Sequence, residues 1–377
     1  VFTDVDRDGD PDLALATEWG PVRLLRNDEG RLVDATEAWG LAGLTGRWNA
    51  VAAGDFDADG RPDLVATSWG ENTGVRASPE RPLEVYYGDV DRNGTFEVIQ
   101  ARYDPRIGAP APLASYGRLG RALPALPDRV PSHRAYADAS VEDVLGGRPA
   151  GRLEAVTTAH TVFLNRGDRF EARPLPPEAQ WAPSFGVAVA DADGDGAEDV
   201  FLAQNFFATD EESPRHDAGR GGWLRGDGEG GFSWVPARIS GVAAYGDQRG
   251  VAVADVDGDA RADLVLGQNG GEARLFRNRG ARPGLRVRLV GPSANRFAIG
   301  ASVRLVYGDT AGPIREIRAG SGAGSHDDPV PVLGIADPEA LTAVEVRWPG
   351  GRVQRVAVTA EQREVTVRAV APGEGSP

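Results

Sequence analysis

Cysteine is absent, which excludes disulfides, zinc–thiolate sites and thiol catalysis. Lysine is absent too: all 41 basic residues are arginine. Acidic residues outnumber them, and the net charge of −15 argues against a nucleic-acid partner. No apolar run is long enough for a membrane-spanning helix, so no membrane insertion is expected. Only four histidines occur, His133, His160, His216 and His326, and none lies in a metalloprotease pattern. With so few nitrogen ligands and no thiols, soft transition metals are a poor match. Methionine is missing and the chain begins Val1-Phe2-Thr3-Asp4, with no signal peptide to be read. What is present is 41% hydrophobic residues, enough for a sizeable core, and 50 Gly with 27 Pro, an excess that fits many tight turns.

One pattern recurs along the chain: D-x-[DN]-x-[DN]-G-x-x-[DE] followed by Leu or Val. The first copy carries Asp4, Asp6, Asp8 and Asp12, and the second Asp55, Asp57, Asp59 and Asp63. The third has Asp89, Asp91, Asn93 and Glu97. The fourth has Asp191, Asp193, Asp195 and Asp199, and the fifth Asp255, Asp257, Asp259 and Asp263. Alternating apolar runs precede the loop, as in Phe185-Gly186-Val187-Ala188-Val189, and a second short strand follows, as in Leu64-Val65-Ala66-Thr67. Asn- and Gly-rich hairpins come next, such as Leu275-Phe276-Arg277-Asn278-Arg279-Gly280. Each unit therefore reads as about four short strands, the make-up of a propeller blade.

The copies are unevenly spaced, with the longest gap between Asp89 and Asp191. Gly151-Arg152-Leu153-Glu154-Ala155-Val156-Thr157 resembles Gly60–Ala66 without its acidic positions, and counting it as a decayed copy gives six units. The first copy has only Val1-Phe2-Thr3 before its loop, so part of the first blade is expected to be missing. Residues 101–150 are proline-rich and break the pattern; they read as an insertion between blades, with helical potential at 113–123 and 136–145.

Carboxylates at positions 1, 3 and 5 converge if the chain curls, and Gly at position 6 permits the left-handed turn. The carbonyl of position 7 (Asp10, Arg61, Thr95, Ala197 or Arg261) offers a further oxygen, and the acid at position 9 closes the cage. Calcium takes about 6–8 oxygens in flexible geometry, which this inventory supplies at up to five sites; magnesium is second choice. Ordinary solvated Asp-Gly turns are the alternative. Crowded carboxylates without a cation repel one another, and five Ca²⁺ ions would bring the charge from −15 to −5. The third copy has one charge fewer, and the fifth has Ala260 where the others have Gly; both are expected to differ from the rest.

These residues, Phe185-Gly186 through Asp191 above all, resemble the FG-GAP (VCBS) repeat of integrin α-subunit propellers and many exported bacterial proteins. The resemblance implies an acidic calcium-binding loop between two strands of a blade. The C-terminal part alternates over Leu285–Val290, Ala301–Val306, Ile314–Arg318, Val344–Trp348 and Val365–Val370, which reads as an antiparallel β-sandwich or barrel. Asn295–Ala301, Arg318–Gly322 and Val346–Gly351 resemble the ASPIC/UnbV domain, which commonly follows FG-GAP repeats in cartilage acidic protein-like proteins. The match departs at Ala323-Gly324-Ser325-His326 and at Leu333-Gly334-Ile335-Ala336.

The expected fold is thus all-β: a β-propeller of about six to seven four-stranded blades over residues 1–280, truncated at its start, with the insertion at about 101–150. A small β-domain over 281–370 and a disordered tail at 371–377 complete it. The expected role is a non-catalytic calcium-binding scaffold, secreted or periplasmic, with a protein or glycan partner. A lectin-like propeller is the alternative, with Gln204-Asn205-Phe206-Phe207 and Gln268-Asn269-Gly270 able either to hold a sugar or to cap strand ends. A calcium-assisted polysaccharide-cleaving enzyme is the third reading, and it lacks a visible cluster of basic catalytic groups.

Overall fold

In the computed structural model, residues 1–148, 150–322 and 324–369 are described; the expected tail at 371–377 lies outside them. The acidic loops are built alike because they sit at one point of one strand pair. In each copy the residue before the loop pairs with position 9: Thr3 with Asp12, Gly54 with Asp63, Gly88 with Glu97, Ala190 with Asp199 and Ala254 with Asp263. The loop is therefore the hairpin connection of two antiparallel strands, in one register throughout.

Four sheets follow one another along the chain. The first contains Phe2–Thr3, Asp12–Leu15, Arg23–Asp28 and Arg31–Asp34. The second contains Ala50–Gly54, Asp63–Thr67, Thr161–Asn165 and Phe170–Pro174. The third contains Ser184–Ala190, Asp199–Gln204, Gly222–Gly226 and Phe232–Trp234. The fourth has three strands, Asp247–Ala254, Asp263–Asn269 and Arg274–Phe276. The first two strands of the second and third sheets bury both faces, one against each neighbouring sheet. Val51, Ala53, Leu64 and Ala66 pack with Val5, Ala14 and Leu24 of the first sheet. Ala52 and Val65 pack instead with Val187, Val189, Val200 and Leu202 of the third, whose Ala188, Phe201 and Ala203 meet Val251, Leu264 and Leu266 of the fourth. This face-to-face succession of small antiparallel sheets is the propeller-like arrangement the repeats imply. Gly186 marks a close approach between the third and fourth sheets: a Cβ there would stand 2.4 Å from the carbonyl oxygen of Arg249.

The third acidic loop belongs to a fifth sheet, which is inserted. Leu83–Gly88 pairs on one side with Glu97–Asp104 and on the other with Gly151–Ala155, and Ala109–Pro112 closes the edge. The whole sheet lies between Asp63–Thr67 and Thr161–Asn165, which pair with each other in the second sheet. So the insertion is larger than the expected 101–150, and Gly151–Ala155 is the returning strand of that sheet rather than a sixth unit. Its short helices Tyr116–Ala122, His133–Ala137 and Val141–Leu145 begin at serine caps, Ser115, Ser132 and Ser140, each accepting from a backbone N–H three residues on. Leu119, Leu126, Val141 and Val144 bury themselves against Ile99 and Ala101.

The C-terminal domain is a two-sheet sandwich. One sheet joins Leu285–Val290 to Val332–Leu333 and to Glu364–Arg368, the latter in parallel, which corrects the expectation of a wholly antiparallel domain. The other is built on Ser302–Tyr307, Leu341–Arg347 and Val353–Ala357. Leu285, Val287, Val303, Leu305, Val344, Val346, Trp348 and Val367 form the core between them. Among the described residues no helix is long and apolar enough to cross a membrane.

Candidate metal centres

Each loop is shaped by its own carboxylates. Position 1 accepts from the backbone N–H of position 6: Asp4 from Gly9, Asp55 from Gly60, Asp89 from Gly94, Asp191 from Gly196 and Asp255 from Ala260, at 2.7–3.1 Å. Position 5 accepts from position 7: Asp8 from Asp10, Asp59 from Arg61, Asn93 from Thr95, Asp195 from Ala197 and Asp259 from Arg261. Position 6 is left-handed in every copy, including Ala260 at φ 63°. Position 4 is left-handed as well, and it is a non-glycine in three copies, Arg7, Ala58 and Arg92. In those three copies the bend carries no glycine signature and costs roughly 1–2 kcal/mol of backbone strain each, whereas Gly194 and Gly258 take it in the fourth and fifth.

Position 9 does two jobs. One oxygen accepts from the N–H of position 2: Asp12 from Val5, Asp63 from Phe56, Glu97 from Val90, Asp199 from Ala192 and Asp263 from Val256. In the four successive sheets the other oxygen accepts from the third strand at Asn27, Asn165 and Gly226, or two residues beyond it at Asn278, at 2.7–2.9 Å. The residue read as a cage-closing ligand is thus also the pin between loop and hairpin.

Ligand atoms do converge. Asp4, Asp6 and Asp8 bring oxygens within 4.8 Å of one another, as do Asp55, Asp57 and Asp63; Asp89, Asp91 and Glu97; Asp191, Asp193 and Asp199; and Asp255, Asp257 and Asp259. Position 9 joins the trio in the second, third and fourth copies, and position 5 does so in the first and fifth. The side chains of Arg61 and Arg261, at position 7, turn back onto Asp59 and Asp259. Burial pushes the Asp4 and Asp191 carboxyls up to about 6, Asp12 and Asp55 to about 7, and Asp63 and Asp199 to about 8. One oxygen each of Asp4, Asp55 and Asp57 is buried without a hydrogen-bond partner. Buried, unpartnered carboxylate oxygens facing like charges are the condition a hard divalent cation relieves, so the residues present fit calcium.

An arginine also stands beside position 3 in the four successive sheets. Arg26 lies 3.9 Å from Asp6, Arg166 2.6 Å from Asp57 and Arg277 3.4 Å from Asp257, while Arg225 pairs with Asp193. The recurring Arg next to Asn in the hairpin turns was the available signal; it read only as turn chemistry. In the inserted sheet no such pair appears among the described residues.

Residues 4–66 match the model of the FG-GAP-like repeat, and residues 291–373 match that of ASPIC and UnbV. This is an FG-GAP repeat protein with a C-terminal ASPIC/UnbV domain. No curated protein matches the chain. In this FG-GAP protein the loops lie at the strand junction where the repeat's resemblance put them.

The other singled-out residues are held by local hydrogen bonds. His160 is fully buried; its Nδ1 accepts from Ser68 N–H at 2.8 Å and its Nε2 lies 3.0 Å from the Ala182 oxygen, and burial lowers its pKa to about 4. Asn205, left-handed at φ 88°, donates to the carbonyls of Gly219 and Gly246 and accepts from Gly219 N–H. Gln204 donates to Ala179 and Gln268 to Glu272. These hydrogen bonds lie at the ends of the strands Asp199–Gln204 and Asp263–Asn269. His326 lies in an exposed loop with Nδ1 2.7 Å from the Asp327 oxygen.

Proposed function

We propose that this protein is a calcium-stabilised, non-catalytic scaffold acting outside the cytoplasm, in the periplasm or extracellular space. The observation that carries the reading is the buried carboxylate set of the second loop: Asp55 and Asp63 almost fully buried, Asp57 beside them, and two oxygens without partners. Four similarly built loops repeat the chemistry. Extracellular calcium, abundant relative to that inside cells, fills sites of modest affinity, about 10⁻⁴–10⁻³ M for extracellular modules. Calcium here is structural, because its binding energy becomes folding energy where the unfolded chain has no preformed site.

Thermal unfolding in EGTA, in millimolar Ca²⁺ and in millimolar Mg²⁺ tests the proposal. A large rise in Tm specific to Ca²⁺ is expected. No rise, or the same rise with Mg²⁺, overturns it.

A lectin-like reading is favoured by one feature. Trp181, 46% exposed, and Trp234 lie with ring centroids 6.0 Å apart in a cleft also lined by Glu178, Arg220 and Arg238. Stacking faces beside charged groups suit an acidic sugar. Glycan-array binding that Trp181→Ala abolishes is the result that would establish this reading.

A further inference from the structure

The C-terminal domain does not hang from the propeller-like part by a linker. Its residues 314–322 and 324–328 reach the loop-side ends of all four successive first strands. Glu316 accepts from the Thr3 hydroxyl at 2.6 Å and from Asp4 N–H at 2.9 Å. Arg318 donates to the Ala53 carbonyl at 2.9 Å, and Arg315 to that of Val189. Asp327 accepts from Val253 N–H at 2.8 Å, Asp328 N–H donates to the Val253 carbonyl at 3.0 Å, and Ser325 accepts from Val251 N–H at 3.0 Å. Ala53, Val189 and Val253 are equivalent positions, two residues before their loops. The stretch that departs from the ASPIC/UnbV pattern near Ser325 therefore grips the edge of its own neighbour domain.

The same domain presses on the loops themselves. Ile314 N–H donates to the position-1 carboxylate of Asp55 at 2.8 Å. Arg315 pairs with the buried Glu198 of the fourth copy through two contacts, at 2.6 and 3.1 Å. Gly334 lies so close to Asp191 that a Cβ would stand 1.7 Å from its Oδ2, and Gly196 faces Ala336 in the same way at 2.6 Å. Among the described residues, the domain makes an ion pair with a ligand-position carboxylate only at the fifth copy, where Arg286 Nε lies 3.4 Å from Asp255; at the first copy Arg347 reaches the Arg7 carbonyl, and at the fourth Arg315 reaches Glu198, which is not a ligand position. The third copy is different again. Asp89 and Asn93 are exposed, and no hydrogen bond or ion pair from residues 285–369 reaches residues 89–97 among the described residues.

We propose that docking of the C-terminal domain and cation occupancy of the first, second and fourth loops reinforce one another, while the third loop binds independently. This rests on the calcium reading above. Docking takes Asp4, Asp55 and Asp191 out of water. Without an ion, the domain covers uncompensated like charges; with an ion, it covers a neutralised cage. Whatever differential free energy docking gains from the ion must appear equally as tighter ion binding in the docked state. At the fifth loop Arg286 already supplies positive charge, so the coupling there is weaker.

The test uses the full chain and two readouts. Calcium binding is followed by titration calorimetry, and docking by hydrogen exchange in peptides spanning 310–330 and 249–255. Chelation is expected to speed exchange in those peptides about tenfold or more, while the buried strand Leu285–Val290 keeps its protection. Arg315→Ala, which unties Glu198 and Val189, is expected to weaken the shielded loops by about fivefold or more, the lower end of ordinary coupling, with the third loop unchanged. Arg318→Ala gives the same sign and guards against a folding defect in the first variant. Asp89→Asn with Asp91→Asn is expected to remove one binding site and leave protection at 310–330 as it was. If calcium binds but protection at 310–330 is the same in EGTA, and both arginine variants bind as the parent does, the coupling is wrong and the calcium reading stands. If no calcium binds, both fall.

Discussion

Asp63→Asn isolates the double duty of position 9. Asp63 is fully buried, and its two oxygens accept from Phe56 N–H at 2.8 Å and Asn165 N–H at 2.7 Å. An asparagine of the same shape can satisfy one of them and turns an NH₂ group toward the other. The variant loses one charge-assisted bond, worth about 1.5–3 kcal/mol, and leaves a buried N–H unpaired, at about 1–3 kcal/mol. A net loss of about 3–5 kcal/mol in calcium follows, a fall in Tm of roughly 6–20 °C at about 2–4 °C per kcal/mol. In EGTA the loss should be less than half as large. There the carboxyl, pushed up to about 8 by burial and by Asp57 and Asp55, is itself a burden at neutral pH that the amide removes. The assay is differential scanning fluorimetry of both proteins in both buffers. An unchanged Tm in calcium refutes the pinning argument. Equal losses in the two buffers refute the claim that this residue also faces a cation.

Three further outcomes follow from the same geometry. Ala260→Gly and Ala58→Gly replace left-handed alanines and should each raise stability by about 0.5–1 kcal/mol, with Ala260→Gly also tightening calcium binding at the fifth loop; chemical denaturation and calorimetry read these. In EGTA, stability should fall as pH rises from 6.5 to 8. Burial lifts the folded-state carboxyls of Asp55, Asp63 and Asp199 to about 7–8 from the ordinary 3.8, so from about pH 4 upward the folded state holds protons the unfolded chain has released, and stability goes on falling until these carboxyls ionise at the top of this window. In calcium the trend should vanish or invert, because the ion requires ionised ligands. His160→Phe leaves Ser68 N–H without its acceptor in a buried site and should cost about 2–4 kcal/mol in either buffer, a loss visible in urea denaturation.

The loops were legible because their chemistry is local: five residues in a nine-residue window fix the curl, the carboxylates and the strand junction together. The alternating runs before them were legible for the same reason, since Val187 and Val189 face one sheet while Ala188 faces another. What the sequence hid was pairing at a distance. Gly151–Ala155 imitates the start of a blade strand, yet its partner is Leu83–Gly88, and nothing in a period of about 50 residues distinguishes the two. The arginines at position 3 were read as hairpin residues because the loop that faces them is remote in sequence. The grip of residues 314–322 and 324–328 was equally hidden: Ile314–Arg318 has the alternation of a strand, but among the described residues only Arg315–Glu316 pairs as one, and its arginines and glutamate point into another domain.

The inserted sheet also imposes an order of assembly. Asp63–Thr67, apolar on both faces, pairs with Thr161–Asn165, and the whole inserted sheet is synthesised between them. During translation the half-built second sheet must hold an open edge until the later strand emerges. Closing so long a loop adds little to the equilibrium cost, about 0.6 kcal/mol for each doubling of length. It weighs instead on the rate, because non-local strand pairing is slow. A chain of this design is exposed to mispairing at that edge in the interval, so the step most sensitive to chaperones or to a neighbouring nascent chain is the return of residue 161 to residue 66.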